Sequence, residues 1–116
     1  MKNLLFILFF LMTAPLHAIT QGDMNEMAEK DFEKSERQLN IIYKKLSFTL
    51  DARSKQKLLA SENAWLAYRR AHAEFEADYV ARGGSMAPQI FNMTRTEVTD
   101  ARIKDLKYIL TIVPQF

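Results

Sequence analysis

His72 lies at the centre of the side chains that could do chemistry in this chain. Glu76 follows it by four residues, a spacing that places both side chains on one face of a helix, where they could give a metal ion two ligands. Zinc sites use three or four ligands in which histidine and cysteine dominate, and the chain has no cysteine. We therefore expect no metal site, and we interpret His72 as a side chain at the core edge that hydrogen-bonds a carboxylate.

The spacing of the residues excludes two candidate catalytic sites. A nucleophile, a base and an orienting group must lie within hydrogen-bond reach, but Ser85 lies about three to four helical turns beyond His72, with Asp78 between them. Glu74 and Glu76 project from different faces of a helix, so they do not form the carboxylate pair of a glycosidase. The sequence therefore predicts no catalytic residues, no cofactor and no enzyme activity.

A long helix must carry these side chains. Its aromatic residues recur at steps of three and four: Trp65, Tyr68, His72, Phe75 and Tyr79. Because that spacing stacks side chains on one helical face, we predict that this face is the main core surface. Three charged residues lie on or beside the same stripe, and we expect them to be paired at the edge of the core. They are Glu62, Arg69 and Glu76.

The first helix is predicted from a capping signal and an apolar stripe. Asp23 is followed three residues later by Glu26, a pattern typical of a capping box at a helix start. We expect this helix to begin there and to end at about Phe48 or Leu50. Its core stripe is predicted to comprise Met24, Met27 or Ala28, Phe32, Ser35, Leu39, Ile42 and Leu46, broadened by Ile41 and Tyr43.

The limits of the second helix follow from the same kind of signal. Asp51 and Ser54 are two possible caps for its start, and we expect it to continue through Trp65 to about residue 82. Gly83 and Gly84 should then end it, because glycine adopts the left-handed conformation that a helix C-cap requires. A helix of roughly 30 residues is about 45 Å long, so an elongated shape fits this small chain better than a compact one.

Pro88 suits the first turn of a third helix, which we predict from about Gln89 to Leu110. We expect its buried side to comprise Ile90 or Phe91, Met93 or Thr94, Val98, Ala101, Leu106 and Leu110. The fold class that follows is all-α: an elongated antiparallel three-helix bundle built on a long helical hairpin.

The distribution of charge gives a check on this topology. In an up-down-up arrangement the like-charged helix ends coincide, which gives the bundle an acidic pole and a basic pole. The acidic pole comprises Asp23, Glu26, Glu29, Asp31, Glu33, Glu74, Glu76 and Asp78. The basic pole comprises Lys44, Lys45, Arg53, Lys55, Lys57, Lys104 and Lys107. The helix dipole does not account for acids near the end of the second helix, so we expect those carboxylates to serve a partner.

Residues 1–18 are typical of a secretory signal peptide. Lys2 precedes an apolar run from Leu4 to Met12, which is too short to span a bilayer, and Ala18 supplies the small residue of a cleavage site. We expect cleavage after Ala18, one domain over residues 19–116 and no transmembrane segment in the mature chain. The mature chain has 15 basic and 14 acidic side chains, a balance that argues against nucleic-acid binding.

An ordered set of short motifs resembles the LprI-type domain. The motifs are Met24-Asn25-Glu26-Met27-Ala28, Leu39-Asn40 with Tyr43 and Leu46, Ala64-Trp65 with Tyr68-Arg69, Gly83-Gly84-Ser85, and Glu97 with Thr99, Arg102 and Leu106. The positions matched to the family, which we interpret as structural, are Leu39, Tyr43, Trp65, Tyr68, Arg69, Glu97, Thr99, Arg102 and Leu106. Arg69, Glu97 and Arg102 are expected to form an ion-pair network that fixes helix register.

The resemblance implies a small exported helical protein, periplasmic or secreted, that binds a protein partner such as lysozyme or another cell-wall hydrolase. We expect the partner to meet the acidic pole and the 82–88 loop, at Glu74, Glu76, Asp78, Arg82, Gly83, Gly84 and Ser85. The alternative is a structural or stress-related envelope module that pairs with a different protein or with itself. The basic pole could contact anionic lipid headgroups, although a solvated helix end is the simpler interpretation. The sequence does not fix the oligomeric state.

Overall fold

The computed structural model describes residues 18–116, which form three helices: α1 (Gln21–Phe48), α2 (Ala52–Ala81) and α3 (Ala87–Ile109). The fold class is all-α, as predicted, and the helix limits agree with the expected ones to within about two residues. No helix in this part of the chain is long and apolar enough to cross a bilayer. The predicted signal peptide falls on residues 1–17 and the neighbouring Ala18, so it lies almost wholly outside the described residues.

The start of α1 lies one turn earlier than its expected capping box. Thr20 is the N-cap, and its hydroxyl oxygen accepts a hydrogen bond from the backbone N–H of Asp23 at 3.1 Å. The Asp23 carboxylate accepts the backbone N–H of Thr20 at 3.0 Å, which lowers the pKa of Asp23 below its usual value. Asp23 is therefore the third helical residue and not the cap. Glu26, its expected partner, pairs with Lys30 at 3.0 Å instead.

The start and the end of α2 match the predicted signals. The Asp51 carboxylate caps the start by accepting the backbone N–H of Ser54 at 2.8 Å. At the other end Gly83 has a φ of +71°, the left-handed conformation that glycine adopts without strain. The chain then turns so tightly that a Cβ atom on Gly84 would lie 2.8 Å from the carbonyl oxygen of Ala81.

Contacts between side chains fix an up-down-up topology. At one end, the amide of Gln21 in α1 donates to that of Gln89 in α3 at 2.9 Å, so these two helices run parallel. Along α3, Thr94 bonds to Glu76 and Arg102 bonds to Glu62, so α2 runs antiparallel to α3. Helix α3 packs along both other helices, whereas α1 and α2 contact each other mainly through long side chains. The predicted coincidence of like-charged ends follows from this topology.

The core is apolar at one end and built from small and polar side chains at the other. The apolar cluster comprises Leu39, Leu46, Leu58, Ile103 and Leu106, with Ile42, Tyr43, Leu50 and Trp65 packed against it. The other buried side chains are Ala28, Phe32, Ser35, Arg69, Ala73, Ala77, Asn92, Thr94 and Thr99. The predicted stripe of α1 is confirmed at its buried positions, but Ile41 is 54% exposed, so its expected contribution to the core is wrong.

The predicted core face of α2 is wrong for three of its five rings, although Trp65 packs against the apolar cluster as expected. Tyr68, Phe75 and Tyr79 are 55%, 64% and 78% exposed. The helix instead buries a stripe about a quarter turn away, in which Ala73 and Ala77 let α3 approach closely. Small side chains allow two helices to approach closely, so the alanine stripe takes the contact with α3 and the large rings remain exposed.

The predicted buried side of α3 is wrong at two positions. Leu110 is 37% exposed, and Ala101 is also exposed. Of the alternatives Met93 and Thr94, Thr94 is the buried one and Met93 is 47% exposed. Thr99 and Ile103 are buried in their place. The physical reason is that α3 lies between two helices, so it buries two sides, and no single stripe describes it.

Candidate protein-binding site on the second helix

Arg69 joins the three helices at the middle of the bundle. It extends from α2, donates to the carboxylate of Glu36 in α1 and donates to the hydroxyl of Thr99 in α3 at 3.0 Å. Its guanidinium lies 4.9 Å from the ring centre of Phe32 and 4.8 Å from that of Trp65. Only 9% of the residue is exposed. This buried cation is paired, stacked and hydrogen-bonded, so it fixes the position and rotation of α2.

A second ion pair fixes α2 further toward its start. Arg102 in α3 donates to Glu62 and to Ser61 at 3.2 Å each, and the side chains of the ion pair are only 12% exposed. The guanidinium also lies 5.6 Å from the ring centre of Trp65. The expected pairing of Glu62 at the core edge is therefore confirmed.

The predicted network of Arg69, Glu97 and Arg102 is wrong in its carboxylate. Glu97 is exposed and forms no ion pair in the described part of the chain. Glu36 takes the place expected for it at Arg69. The only available signal was the position of Glu36 next to Ser35, a residue on the predicted stripe of α1, and it was too weak to identify the pair.

Arg95 is a further cation in the centre of the bundle. Its guanidinium lies 3.7 Å from the ring centre of Phe32 and 4.6 Å from that of Phe91, and it donates to the side-chain oxygen of Asn92. Burial lowers the pKa of Arg95, and the neighbouring charge of Arg69 lowers it further. Arg95 and Arg69 line a shallow cavity of about 360 Å³ whose other lining residues are Leu66, Arg70, Glu74 and Phe91.

The ion pairs of α2 leave a row of aromatic rings on its outer side. Tyr68 stacks on His72 with ring centres 5.4 Å apart, and Phe75 stacks on Tyr79 at 6.0 Å. Because these residues are one turn apart, the row extends for about 16 Å along the helix. We call these four residues, with the flanking carboxylates of Glu76 and Asp78, the outer α2 face.

The three carboxylates at the end of α2 differ in how far they are engaged. Glu74 pairs with Arg70 at 3.0 Å across an exposed helical turn. Glu76 accepts a hydrogen bond from Thr94 at 2.6 Å and lies 3.9 Å from the Nε2 atom of His72. Asp78 is exposed and forms no ion pair within residues 18–116. His72 lies at the core edge beside a carboxylate, as expected, but beyond hydrogen-bond distance.

The predicted 82–88 loop follows the end of α2, but its irregular part comprises only residues 82–86, because α3 begins at Ala87. Arg82, Gly83, Gly84 and Ser85 are all exposed. Within residues 18–116, no hydrogen bond joins Ser85 to His72, and no three histidine, cysteine, aspartate or glutamate side chains converge as they would around a metal ion. The arrangement offers rings and charges for contact with another surface.

Comparison with known proteins identifies the family. The family model described as lysozyme inhibitor LprI matches residues 12–106. This chain belongs to the LprI family. A protein of Rhizobium meliloti (strain 1021), named as uncharacterized, is 28% identical over 106 residues, which covers 80% of this chain and 76% of the relative. No solved structure matches the chain.

The positions that resemble the LprI family lie mainly in the packing centre. Leu39, Thr99 and Leu106 are the largest of the fully buried side chains in the described residues. Arg69, Arg102 and Trp65 form the ion pairs and ring contacts between helices, and Tyr43 is half-buried against the apolar cluster. Tyr68 and Glu97 are exposed. Most of these positions therefore hold the fold, whereas Tyr68 belongs to the outer α2 face.

Proposed function

We propose that this LprI-family protein binds and inhibits a lysozyme or a related cell-wall hydrolase through the outer α2 face. The single observation that carries the proposal is the row of exposed, stacked rings on α2, of which Phe75 and Tyr79 are 64% and 78% exposed. The protein would act by binding, without catalysis. Its predicted export to the periplasm or the cell exterior would bring it to the compartment of such hydrolases.

The energetics of protein association support this role for the rings. Aromatic side chains are enriched at the centres of protein interfaces, where a few of them contribute most of the binding energy. Rings at i and i+4 on a helix are held in a fixed row, so little side-chain entropy is lost when a partner covers them. The helix itself is held by Arg69, which makes the row a rigid surface.

The carboxylates beside the rings support a basic partner. Asp78 has no ion-pair partner in the described residues, and the exposed pair of Glu74 with Arg70 is easily opened. A hydrolase with a basic cleft would be complementary to these carboxylates, and opposite charge accelerates association at low salt. The 82–88 loop, with Arg82, Gly83, Gly84 and Ser85, would contact the rim of that cleft.

The direct test is the muramidase activity of a c-type lysozyme with increasing amounts of the purified protein, at low and physiological salt. We expect dose-dependent inhibition that weakens as salt is added, because exposed charges are screened. The variant E74Q/E76Q/D78N should inhibit less at low salt and should show a smaller salt effect. Equal inhibition by this variant and by the natural chain would contradict the electrostatic part of the proposal.

A second candidate function is self-association or pairing with a different envelope protein, and the same exposed rings favour it. Burying Phe75 and Tyr79 against a second copy would remove them from water. Light scattering separates the two candidates. A mass that rises with concentration and does not respond to salt would favour self-association, whereas a constant monomer mass with lysozyme inhibition would favour the inhibitor.

A further inference from the structure

Exposed apolar side chains also gather at the other end of the molecule, far from the outer α2 face. Phe48 ends α1 and is 87% exposed, and Val113 and Ile112, which follow α3, are 73% and 49% exposed. The two segments lie together, because one cavity of about 450 Å³ is lined both by Leu46, Thr49 and Leu50 and by Ile109, Leu110, Ile112, Pro114 and Phe116. These side chains protrude from helix ends and from an irregular segment.

Basic side chains are concentrated at the same end of the bundle as this apolar tip. The exposed basic residues of the basic pole are Lys44, Lys45, Arg53, Lys55, Lys57, Lys104 and Lys107. Two of the few acids on this half are already engaged: Glu62 pairs with Arg102, and Asp51 caps α2. Asp100 accepts a hydrogen bond from Ser35. Asp105, between Lys104 and Lys107, is a further exposed acid. The seven basic side chains therefore outnumber the carboxylates of Asp51, Asp100 and Asp105, and this end keeps a net positive charge.

The residue types at this end fit a lipid surface better than a protein. Lysine is depleted from protein interfaces, where arginine and aromatic residues are enriched, and six of the seven basic residues here are lysines. Lysines extend their ammonium groups along an interface while apolar neighbours enter the acyl region. Juxtaposed lysines also bind anionic headgroups by long-range attraction.

We propose that the basic pole docks on an anionic phospholipid surface, with Phe48, Ile112 and Val113 inserted at the headgroup boundary and the lysines contacting phosphate groups. Docking in this way would orient the long axis of the bundle away from the membrane. The outer α2 face would then lie toward the acidic pole, free to meet a partner. The proposal does not depend on what that partner is.

Vesicle flotation with the purified protein tests the proposal directly. We expect binding to phosphatidylcholine vesicles that contain phosphatidylglycerol, loss of binding at high salt, and little binding to phosphatidylcholine alone. K44Q/K45Q should weaken binding by about 25-fold, at about fivefold for each lysine. Phe48→Ser should weaken it by about tenfold or more, because the ring no longer leaves water. Circular dichroism should be unchanged for both variants, since the three residues are exposed.

The matched control is K30Q/K34Q, which removes two exposed lysines from the first half of the same helix, away from the apolar tip. It should leave vesicle binding unchanged. Equal weakening by the two lysine pairs, equal binding to neutral vesicles, or absence of binding would overturn the proposal. Displacement of the protein from vesicles by soluble glycerol phosphate would also overturn the proposal, because such competition would indicate a pocket for one headgroup and not a docking surface. Lysozyme inhibition is measured without vesicles, so failure of either proposal is recognised separately.

Discussion

The second half of helix α2, from Tyr68 to Tyr79, has two faces whose residue types are the reverse of the usual arrangement. Its inner face buries a cation, Arg69, together with Ala73 and Ala77, while its outer face exposes Tyr68, Phe75 and Tyr79. Charged residues are almost never fully buried unless they are paired, and here the pairing partners come from both other helices. The inner face is a network that sets position, and the outer face is left with the large rings.

This contrast indicates that the inner and outer faces of α2 have different roles, one in folding and the other in association. A side chain that is buried and shared among three helices contributes to stability, so its loss should unfold the protein. A ring that is largely exposed contributes little to folding, so its loss should affect only association. The four predictions below test this division, beginning with the largest expected change in the free energy of unfolding.

Arg69→Ala should lower the free energy of unfolding by about 3 to 5 kcal/mol, because Glu36 and Thr99 are left without their buried partner. Urea denaturation followed by the fluorescence of Trp65 measures this loss. Arg70→Ala is the matched control on the same helix. Its ion pair with Glu74 is exposed, so it should cost less than about 1 kcal/mol. Similar losses for the two variants would contradict a structural role for the inner face.

Ala73→Leu should cost about 1 to 3 kcal/mol, because added methylene groups at a fully buried position force α2 and α3 apart. Ala71 is exposed on the same helix, and Ala71→Leu should leave stability nearly unchanged. Thermal unfolding of the two variants makes the comparison. If Ala73→Leu proved as stable as Ala71→Leu, the close approach of α3 at this position would be wrong.

Asp51, the N-cap of α2, tests whether an exposed residue can still stabilise the fold. Its bond to the backbone N–H of Ser54 lowers the pKa of the carboxyl group below the unfolded value. The ionised cap therefore stabilises the fold above the unfolded pKa, and this stability is lost as the pH falls through the lower folded pKa. Asp51→Asn keeps a cap that does not titrate. The difference in free energy of unfolding between the natural chain and Asp51→Asn should shrink as the pH is lowered. A difference that stays constant across acidic pH would contradict a stabilising role for the ionised cap.

The smallest change in stability is expected for F75S/Y79S. Both rings are mostly exposed, so urea denaturation should give a free energy of unfolding within about 0.5 kcal/mol of the natural chain. A loss of several kcal/mol would show that the rings are needed for folding and would remove the distinction between the two faces.

The sequence predicted the helices and their order because these depend on local signals. Asp51 as a cap, Pro88 in the first turn of α3 and glycine at position 83 act through nearby backbone. Charge placement also predicted which helix ends meet. The stripe of α1 was predicted at Leu39 and Leu46 because α1 buries a single face with large apolar residues.

The sequence did not predict which face of α2 is buried, and the reason is general. Both faces repeat with the period of a helix, so periodicity alone does not choose between them. The choice is tertiary, because α3 packs closely on Ala73 and Ala77 and Arg69 finds a carboxylate on α1. Since the aromatic row was assigned to the core, its availability as a binding surface was missed. The sequence analysis proposed only the carboxylates beside it and residues 82–85 as partner contacts.

The most direct test of the outer α2 face is lysozyme inhibition by F75S/Y79S. Tyr108→Ser is the matched control, because Tyr108 is an exposed ring at the opposite end of the molecule, 68% accessible to solvent. We predict that F75S/Y79S inhibits at least about tenfold more weakly than the natural chain, while Tyr108→Ser inhibits as well as the natural chain. Undiminished inhibition by a folded F75S/Y79S variant would contradict the proposed binding site.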